Sequence, residues 1–253
     1  MMVKIGITER GDIAFDDGWI EPLKNNKVTA AILISKGLPT EEGKKAMAEM
    51  KDKIIFHATT TGYGGTIIEP NVKNYEIRLQ ELYNFCKKIN FPFQNVVIRV
   101  DPIIPTEKGI ALAKEVIALG VWYGFRRYRF SFIDVYNHVR RRFLEQHIKI
   151  PPTIQEADPS IIKDLYDAFD NYEEIFKKRG KDIYFESCAE SNKYAVGCIS
   201  KRDFEILGLS PDLAMGKSAQ RKTCLCCSNK TELLTRKNRC PHQCLYCYWV
   251  DRR

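Results

Sequence analysis

The sequence predicts an α/β protein: a partial (β/α)6-type, TIM-like barrel that ends in a cysteine-rich C-terminal tail. Three observations carry that expectation. Short β-branched or aromatic runs alternate with helical patterns through most of the 253 residues. Polar residues collect where the strand-like runs stop. Six of the nine cysteines, Cys224, Cys226, Cys227, Cys240, Cys244 and Cys247, fall in the last thirty residues. The composition, 44% hydrophobic and 28% charged, is that of a folded chain and excludes wholesale disorder.

In chain order, Val3–Thr8 (VKIGIT) is the first strand candidate and Val28–Ser35 (VTAAILIS) the second. The second is nearly apolar throughout, as expected of a parallel strand covered by helices. Thr40–Lys51 reads as the helix that follows it. Lys53–Thr60 (KIIFHATT) is the third strand, and Tyr75–Ile89 the next helix. There Ile77, Leu79, Leu82, Phe85, Cys86 and Ile89 form an apolar stripe at helical spacing. Asn95–Asp101 and Thr106–Leu119 make the fourth strand and its helix. Tyr128–Asp134 (YRFSFID) is the fifth strand; Pro151–Pro159 then reads as a long surface loop before a helix over Ser160–Lys178. Asp182–Cys188 (DIYFESC) is the sixth strand. Six βα units favour a barrel or open barrel, short of the eight that close a complete one. The expected division is a barrel domain over 1–216 and a tail segment, 217–253, packed on the same domain.

The polar strand ends are Thr8, Glu9, Arg10 and Asp12; Thr59–Gly65, which includes Tyr63; Arg99 and Asp101; Asp134; and Glu186, Cys188 and Glu190. In a parallel α/β barrel all of these share one face, where catalytic residues gather. Strand ends are also polar simply because loops begin there. Gly62-Tyr63-Gly64-Gly65 is a glycine-rich turn that would let backbone amides approach a carboxylate or phosphate, though it matches neither a Walker loop nor the dinucleotide fingerprint.

The sharpest signal is Cys240-Pro241-His242-Gln243-Cys244-Leu245-Tyr246-Cys247, a Cys-x3-Cys-x2-Cys run. Cubane iron–sulfur clusters normally take four cysteine thiolates. Three closely spaced thiolates ligate three irons and leave the fourth open to a chelating ligand, to which it passes an electron directly. A structural zinc is the competing reading, with His242, Cys224, Cys226 or Cys227 as fourth ligand. The motif resembles that of the radical S-adenosylmethionine (SAM) superfamily, Cys-x3-Cys-x-aromatic-Cys, with Tyr246 in the aromatic position. The resemblance implies a [4Fe-4S] cluster on Cys240, Cys244 and Cys247 that binds SAM and cleaves it to a 5′-deoxyadenosyl radical. It also implies that the Tyr246 backbone contacts the adenine. Arg10, Asp12, Tyr63, Arg99, Asp101, Asp134 and Glu190 are the candidates for holding SAM or substrate. The usual glycine-glycine-glutamate motif is not found in its expected place. In that superfamily the cysteine loop normally follows the first barrel strand, whereas here it lies near the end of the chain, as if permuted.

Over nearly its full length the chain is similar to a bacterial and phage family of unknown function with such a motif at the C-terminus. The similarity lies in Thr8–Phe15, Thr60–Pro70, Val97–Pro105, Phe130–Tyr136, Cys188-Ala189-Glu190 and Gln220–Trp249. It covers Cys188, Cys198 and a Cys-x-Cys pair, most simply Cys224 and Cys226, with Cys227 as the alternative to Cys226. Four thiolates suffice for a second iron–sulfur cluster or a zinc. Alternatively Cys188 is a thiol hydrogen-atom donor, or Cys188 and Cys198 are small buried residues, as Cys86 is expected to be.

The chain carries net charge +8, and Lys217–Arg253 holds +7 of it. A second basic segment, Arg126–Arg142, interleaves six arginines with Tyr128, Phe130 and Tyr136. Arginine with aromatics suits phosphates and stacked bases, so a nucleic-acid base or nucleotide is the expected substrate, in line with a loose similarity to spore photoproduct lyase. The tail's charge equally offsets a thiolate-rich cluster and docks an acidic electron donor of the flavodoxin or ferredoxin type. The alternative to an enzyme is a non-catalytic zinc- or cluster-containing nucleic-acid-binding protein. No run approaches the roughly 20 apolar residues that cross a bilayer, and the first residues carry no secretory pattern, so a cytoplasmic protein with reduced thiols is expected. His57, His138, His147 and His242 show no metal-ligand spacing.

Overall fold

Each of the six expected strands forms, and each pairs in parallel with its neighbours in the chain: β1 (Ile5–Ile7), β2 (Ala30–Ser35), β3 (Ile54–Thr59), β4 (Val96–Ile103), β5 (Arg127–Phe132) and β6 (Tyr184–Cys188). The structure is a computed structural model that describes residues 3–188, 190–214, 225, 230–235 and 240–249. Two short strands were not expected. β7 (Ala195–Val196) extends the sheet beyond β6, and β8 (Lys230–Glu232) extends it beyond β1. Among the described residues the result is an eight-stranded parallel sheet curled into a half-barrel, in the order β7-β6-β5-β4-β3-β2-β1-β8, and not a six-stranded one. β7 is only two residues long and β8, Lys-Thr-Glu, has no apolar residue, so neither shows a strand pattern in the sequence, whereas the equally short β1 is apolar. β8 has a second consequence. By pairing Ile5 with Lys230, it stitches the tail to the opening strand.

Among the described residues seven α-helices accompany the strands: α1 (Ile20–Lys24), α2 (Glu41–Glu49), α3 (Tyr75–Lys88), α4 (Glu107–Trp122), α5 (Asn137–Glu145), α6 (Pro159–Lys178) and α7 (Lys201–Ile206). The four expected ones each start at a side-chain cap. Thr40, Asn74 and Thr106 accept the N–H groups of Gly43, Ile77 and Gly109, and Asp158 accepts that of Ser160. The α3 stripe departs from expectation at one place. Ile77 is 47% exposed, and Arg78 is buried instead, its Nη2 donating to the Gly37 carbonyl at 2.9 Å. Cys86 is a core residue, as expected.

The period-two alternation of the strands builds two cores. Leu33, Phe56, Ile98, Tyr128 and Phe130 pack on one face with Leu79, Leu82, Val116 and Phe169 of the helices. Ile5, Ile7, Ala30, Ile32, Ile55 and Val97 pack on the other with Phe204 of α7. Both faces are therefore covered, which explains the continuous apolar runs. A capping box between Ser200 and Asp203 fixes α7, and Asp203 is also the counter-ion of Arg127. Arg129 bonds Glu186 and lies 3.6 Å from Asp203. Burial would raise the Asp203 pKa, but Arg127 and Arg129 hold it well below the ordinary value. No described helix is long and apolar enough to cross a membrane.

Candidate functional site

Beyond the strand ends lies a cavity of about 420 Å³, closed on one side by the tail loop 240–249. Its wall takes Thr8, Asp12 and Lys36 from the β1 and β2 ends, Thr59 from β3, Arg99 and Asp101 from β4, Ser131 and Asp134 from β5 and beyond, and Cys188 from β6. Cys244, Tyr246 and Cys247 supply the tail side. Strand ends and cysteine motif, far apart in sequence, thus face one space.

The loop is held at many points. Leu245 N–H donates to the Ile68 carbonyl (3.0 Å) and Asn71 Nδ2 to the Pro241 carbonyl (2.7 Å). From α5, Arg142 donates through Nη1 to the Cys247 carbonyl (2.5 Å) and through Nη2 to that of Trp249 (2.6 Å). Trp249 N–H reaches Cys247 Sγ at 3.4 Å, the kind of bond to sulfur that tunes thiolate-held clusters. Tyr246 is the deepest anchor. Its hydroxyl donates to Glu69 and accepts from Lys36 Nζ (2.6 Å), while Lys36 and Thr61 also donate to Glu69 (2.6 and 2.7 Å). Burial penalises Lys36 as a cation, but Glu69 and then Cys244 raise its pKa above the ordinary value. Burial likewise penalises Glu69 as an anion, but Lys36 holds its carboxyl below the usual range.

Asp12 is bound on every side. It accepts from the Lys36 N–H (2.8 Å), the Ala14 N–H (2.9 Å) and the Ser35 hydroxyl, and faces His242 Nε2 at 3.0 Å. Burial opposes its charge, yet His242 and these donors bring its pKa down to about 2. The other ring nitrogen of His242 lies 3.4 Å from the Asn71 carbonyl. Both nitrogens of His242 thus face acceptors, which leaves the loop with thiols as its soft donors. Burial, with Glu69 and then the neighbouring Cys247 and Cys240 adding to it, pushes the Cys244 thiol up to about 12 against the pull of Lys36. Among the described residues no three His, Cys, Asp or Glu side chains stand in a ready-made metal-binding group.

Residues 20–249 match a family model described as a domain of unknown function, DUF1848. The chain belongs to the DUF1848 family. No curated protein matches it. Among solved structures, it is similar to the catalytic domain of a mannanase from Streptomyces sp. SirexAA-E, at 14% identity over 83% of this chain and 73% of that one, with TM-score 0.36. It is also similar to the arginine decarboxylase of Paramecium bursaria Chlorella virus, at 11% identity over 65% and 40%, with TM-score 0.33. Likenesses this distant carry no argument about the DUF1848 chain.

The sequence-expected residues separate into two groups. Asp12, Arg99, Asp101, Asp134, Cys188, Cys244, Tyr246 and Cys247 line the cavity, joined by Cys198. Arg10, Tyr63 and Glu190 do not line it. Arg10 is exposed and donates its backbone N–H to Glu232 (3.1 Å), Tyr63 accepts the Ile104 N–H (3.0 Å) beneath the tail loop, and Glu190 accepts the Phe132 N–H (2.9 Å). Cys240 is partly buried and does not line the cavity, and Cys224, Cys226 and Cys227 lie outside the described residues. The glycine turn serves packing. A Cβ on Gly64 would stand 1.9 Å from the Lys73 carbonyl oxygen, so the backbone, not a ligand, occupies that approach.

The Arg126–Arg142 segment is largely internal. Arg127, Arg129 and Arg142 are at most 3% exposed and are consumed by Asp203, Glu186 and the tail carbonyls. Arg126 stacks on Phe176 at 4.4 Å, which leaves Arg140 and Arg141 exposed. Lys36 and Glu69 escaped the sequence reading as partners of the site, and His242, weighed there as a zinc ligand, is instead a partner of Asp12. Lys36 and Glu69 sit in loops with no spacing to the cysteines, so only tertiary contact joins them.

Proposed function

We propose that this DUF1848 chain is a radical SAM enzyme whose [4Fe-4S] cluster is held by Cys240, Cys244 and Cys247. One observation carries the reading: the loop sets the Cys244 and Cys247 thiols at the cavity, with Cys240 in the same loop, while the ring nitrogens of His242 face Asp12 and Asn71. Three thiols suit a cluster with an open iron; structural zinc takes four protein ligands. Such a cluster, held by these three thiols, would supply the single electron for reductive cleavage of SAM to methionine and a 5′-deoxyadenosyl radical.

The chain's own residues do the rest. Lys36, Glu69 and Arg142 hold the loop in place. Because the Tyr246 phenol is committed to Glu69, its backbone is what remains to meet the adenine. Arg99 and Asp101 form an ion pair on the wall, with Ser131 donating to Asp101, a preorganised polar patch for SAM or substrate. A cavity of about 420 Å³ suits a ligand of nucleoside size. Tyr136 and Tyr248, each 41% exposed, line its mouth with Trp249, a surface on which a planar base stacks. The substrate within this proposal is therefore a nucleic-acid base or nucleotide, and the electron donor an acidic flavodoxin or ferredoxin in a reducing, cytoplasmic setting.

Anaerobically reconstituted protein is expected to be brown and to release 5′-deoxyadenosine from SAM under dithionite, with both lost in Cys244→Ala. Colourless protein that keeps one tightly bound zinc and yields no 5′-deoxyadenosine would overturn the proposal in favour of a non-catalytic, zinc-bearing nucleic-acid-binding protein.

A further inference from the structure

Arg78, on α3, is 1% exposed, yet its Nε and Nη1 have no hydrogen-bond partner among the described residues. Only Nη2 is used, on the Gly37 carbonyl at 2.9 Å. Burial pulls its pKa down to about 10, against the charges of Asp12 and then Glu81, so it remains a cation at neutral pH. A guanidinium this deep costs stability unless it is paired, so its one bond calls for a reason.

That bond falls on the Ser35-Lys36-Gly37 turn at the end of β2, and the turn grips the cysteine loop by two arms. In the first, Ser35 Oγ and the Lys36 N–H donate to Asp12, which faces His242 Nε2 at 3.0 Å. In the second, Lys36 Nζ bonds Glu69 and the Tyr246 hydroxyl, each at 2.6 Å. Gly37 itself packs against the Asp12 turn so closely that a Cβ on it would stand 2.8 Å from the Ala14 Cβ.

A single hydrogen links Arg78 to the first arm. Ser35 Oγ lies within bonding distance of both Asp12 and the Gly37 carbonyl (2.9 Å), and it accepts the Gly37 N–H at 3.0 Å. A hydroxyl has one hydrogen to donate. With the Gly37 carbonyl satisfied by the charged Arg78 donor, that hydrogen is left for Asp12. Without Arg78 the carbonyl would draw on Ser35, the donor still within reach, and Asp12 would lose it. We infer that Arg78 is a positioning residue for the cysteine loop: it reserves the Ser35 hydrogen for Asp12 and fixes the turn through which Asp12 and Lys36 hold His242 and Tyr246. What the loop carries rests on the radical SAM reading; the hold on the loop does not.

The test uses the full chain, reduced and metal-free, so that it reads the loop whether or not a cluster binds. Cys244 and Cys247, 4% and 5% exposed, are expected to react slowly with iodoacetamide under native conditions, as followed by peptide mass mapping. Arg78→Met should speed both by about fivefold or more, through more frequent local opening of the loop. Arg78→Lys, which keeps a cationic donor, should return them to within about twofold of wild type. Ser35→Ala should also speed them, and adding Arg78→Met to it should change the rates by less than about twofold, because both act through one hydrogen. Cys86, on α3 with Arg78, should stay unreactive, and the urea midpoint of Arg78→Met should not fall, since an unpaired buried cation gives way to an apolar chain. Unchanged rates in Arg78→Met, no rescue by lysine, or effects that multiply in the double variant would overturn the inference. A speed-up shared by Cys86 or a lowered midpoint would do the same, by showing that Arg78 serves general packing. Failure of the radical SAM reading shows separately, as wild-type protein that binds no iron and yields no 5′-deoxyadenosine.

Discussion

The Lys36–Glu69 pair fastens the cysteine loop to the barrel, and its contribution can be measured. The two side chains are 14% and 1% exposed, 2.6 Å apart, with Tyr246 and Thr61 bonded to the same carboxylate. At an effective dielectric of about 20 their attraction is roughly 6 kcal/mol, much of it offset by the cost of desolvating both ions. What survives is the penalty for stranding one of them. Lys36→Met leaves Glu69 buried with only hydroxyl donors, and Glu69→Gln leaves Lys36 buried without a counter-ion. Each is expected to lower stability by about 3 kcal/mol, and the double variant by about 2 kcal/mol less than their sum. Urea denaturation of the metal-free chains at pH 7 measures the cycle. The pH dependence follows from the two shifts. Glu69 lies below its ordinary 4.5, so its share is present above that pH and lost as pH falls through the folded value. Lys36 lies above its ordinary 10.5, so its share is present below that pH and lost as pH rises through the folded value. Single variants that add within about 0.5 kcal/mol would show that the two ions do not act as a pair, and would refute the reasoning.

Three further outcomes are expected. Asp12, depressed from 3.8 to about 2, adds about 2 kcal/mol that is present above pH 4 and lost as pH falls toward 2. Asp12→Asn should flatten that limb of the acid-denaturation curve, and an unchanged limb would count against the assignment. Arg142→Met removes the two bonds that hold the Cys247 and Trp249 carbonyls, so reconstituted iron content should drop at least threefold while the urea midpoint of the barrel moves little. Asp203→Ala leaves the buried Arg127 without its counter-ion, while Arg129 keeps Glu186, and should cost about 3–5 kcal/mol by urea denaturation. A loss below 1 kcal/mol would mean that water reaches the Arg127 guanidinium.

Much of the architecture was legible from residue pattern. Strands such as Ala30–Ser35 and Val96–Ile103 are buried on both faces and read as apolar runs, and the capped helices at Thr40, Asn74, Thr106 and Asp158 follow local chemistry. Arg127, Arg129 and Arg142 show the limit. They look like a basic surface stripe in the sequence, and each is buried because a carboxylate or carbonyl distant in the chain meets it. Charge is a local property, whereas exposure depends on what else arrives.

The sequence by itself determined the α/β class, the six main strands, and the three-cysteine motif with its aromatic, because periodicity and ligand spacing are short-range. Only the tertiary structure decided that the tail returns to the first strand through β8 and lays its thiols over the strand ends. Only it joined Lys36 and Glu69 to Tyr246, and Cys188 to Cys198. Those partners lie 10 to 210 residues apart, and no local pattern encodes a meeting that depends on how the whole sheet curls.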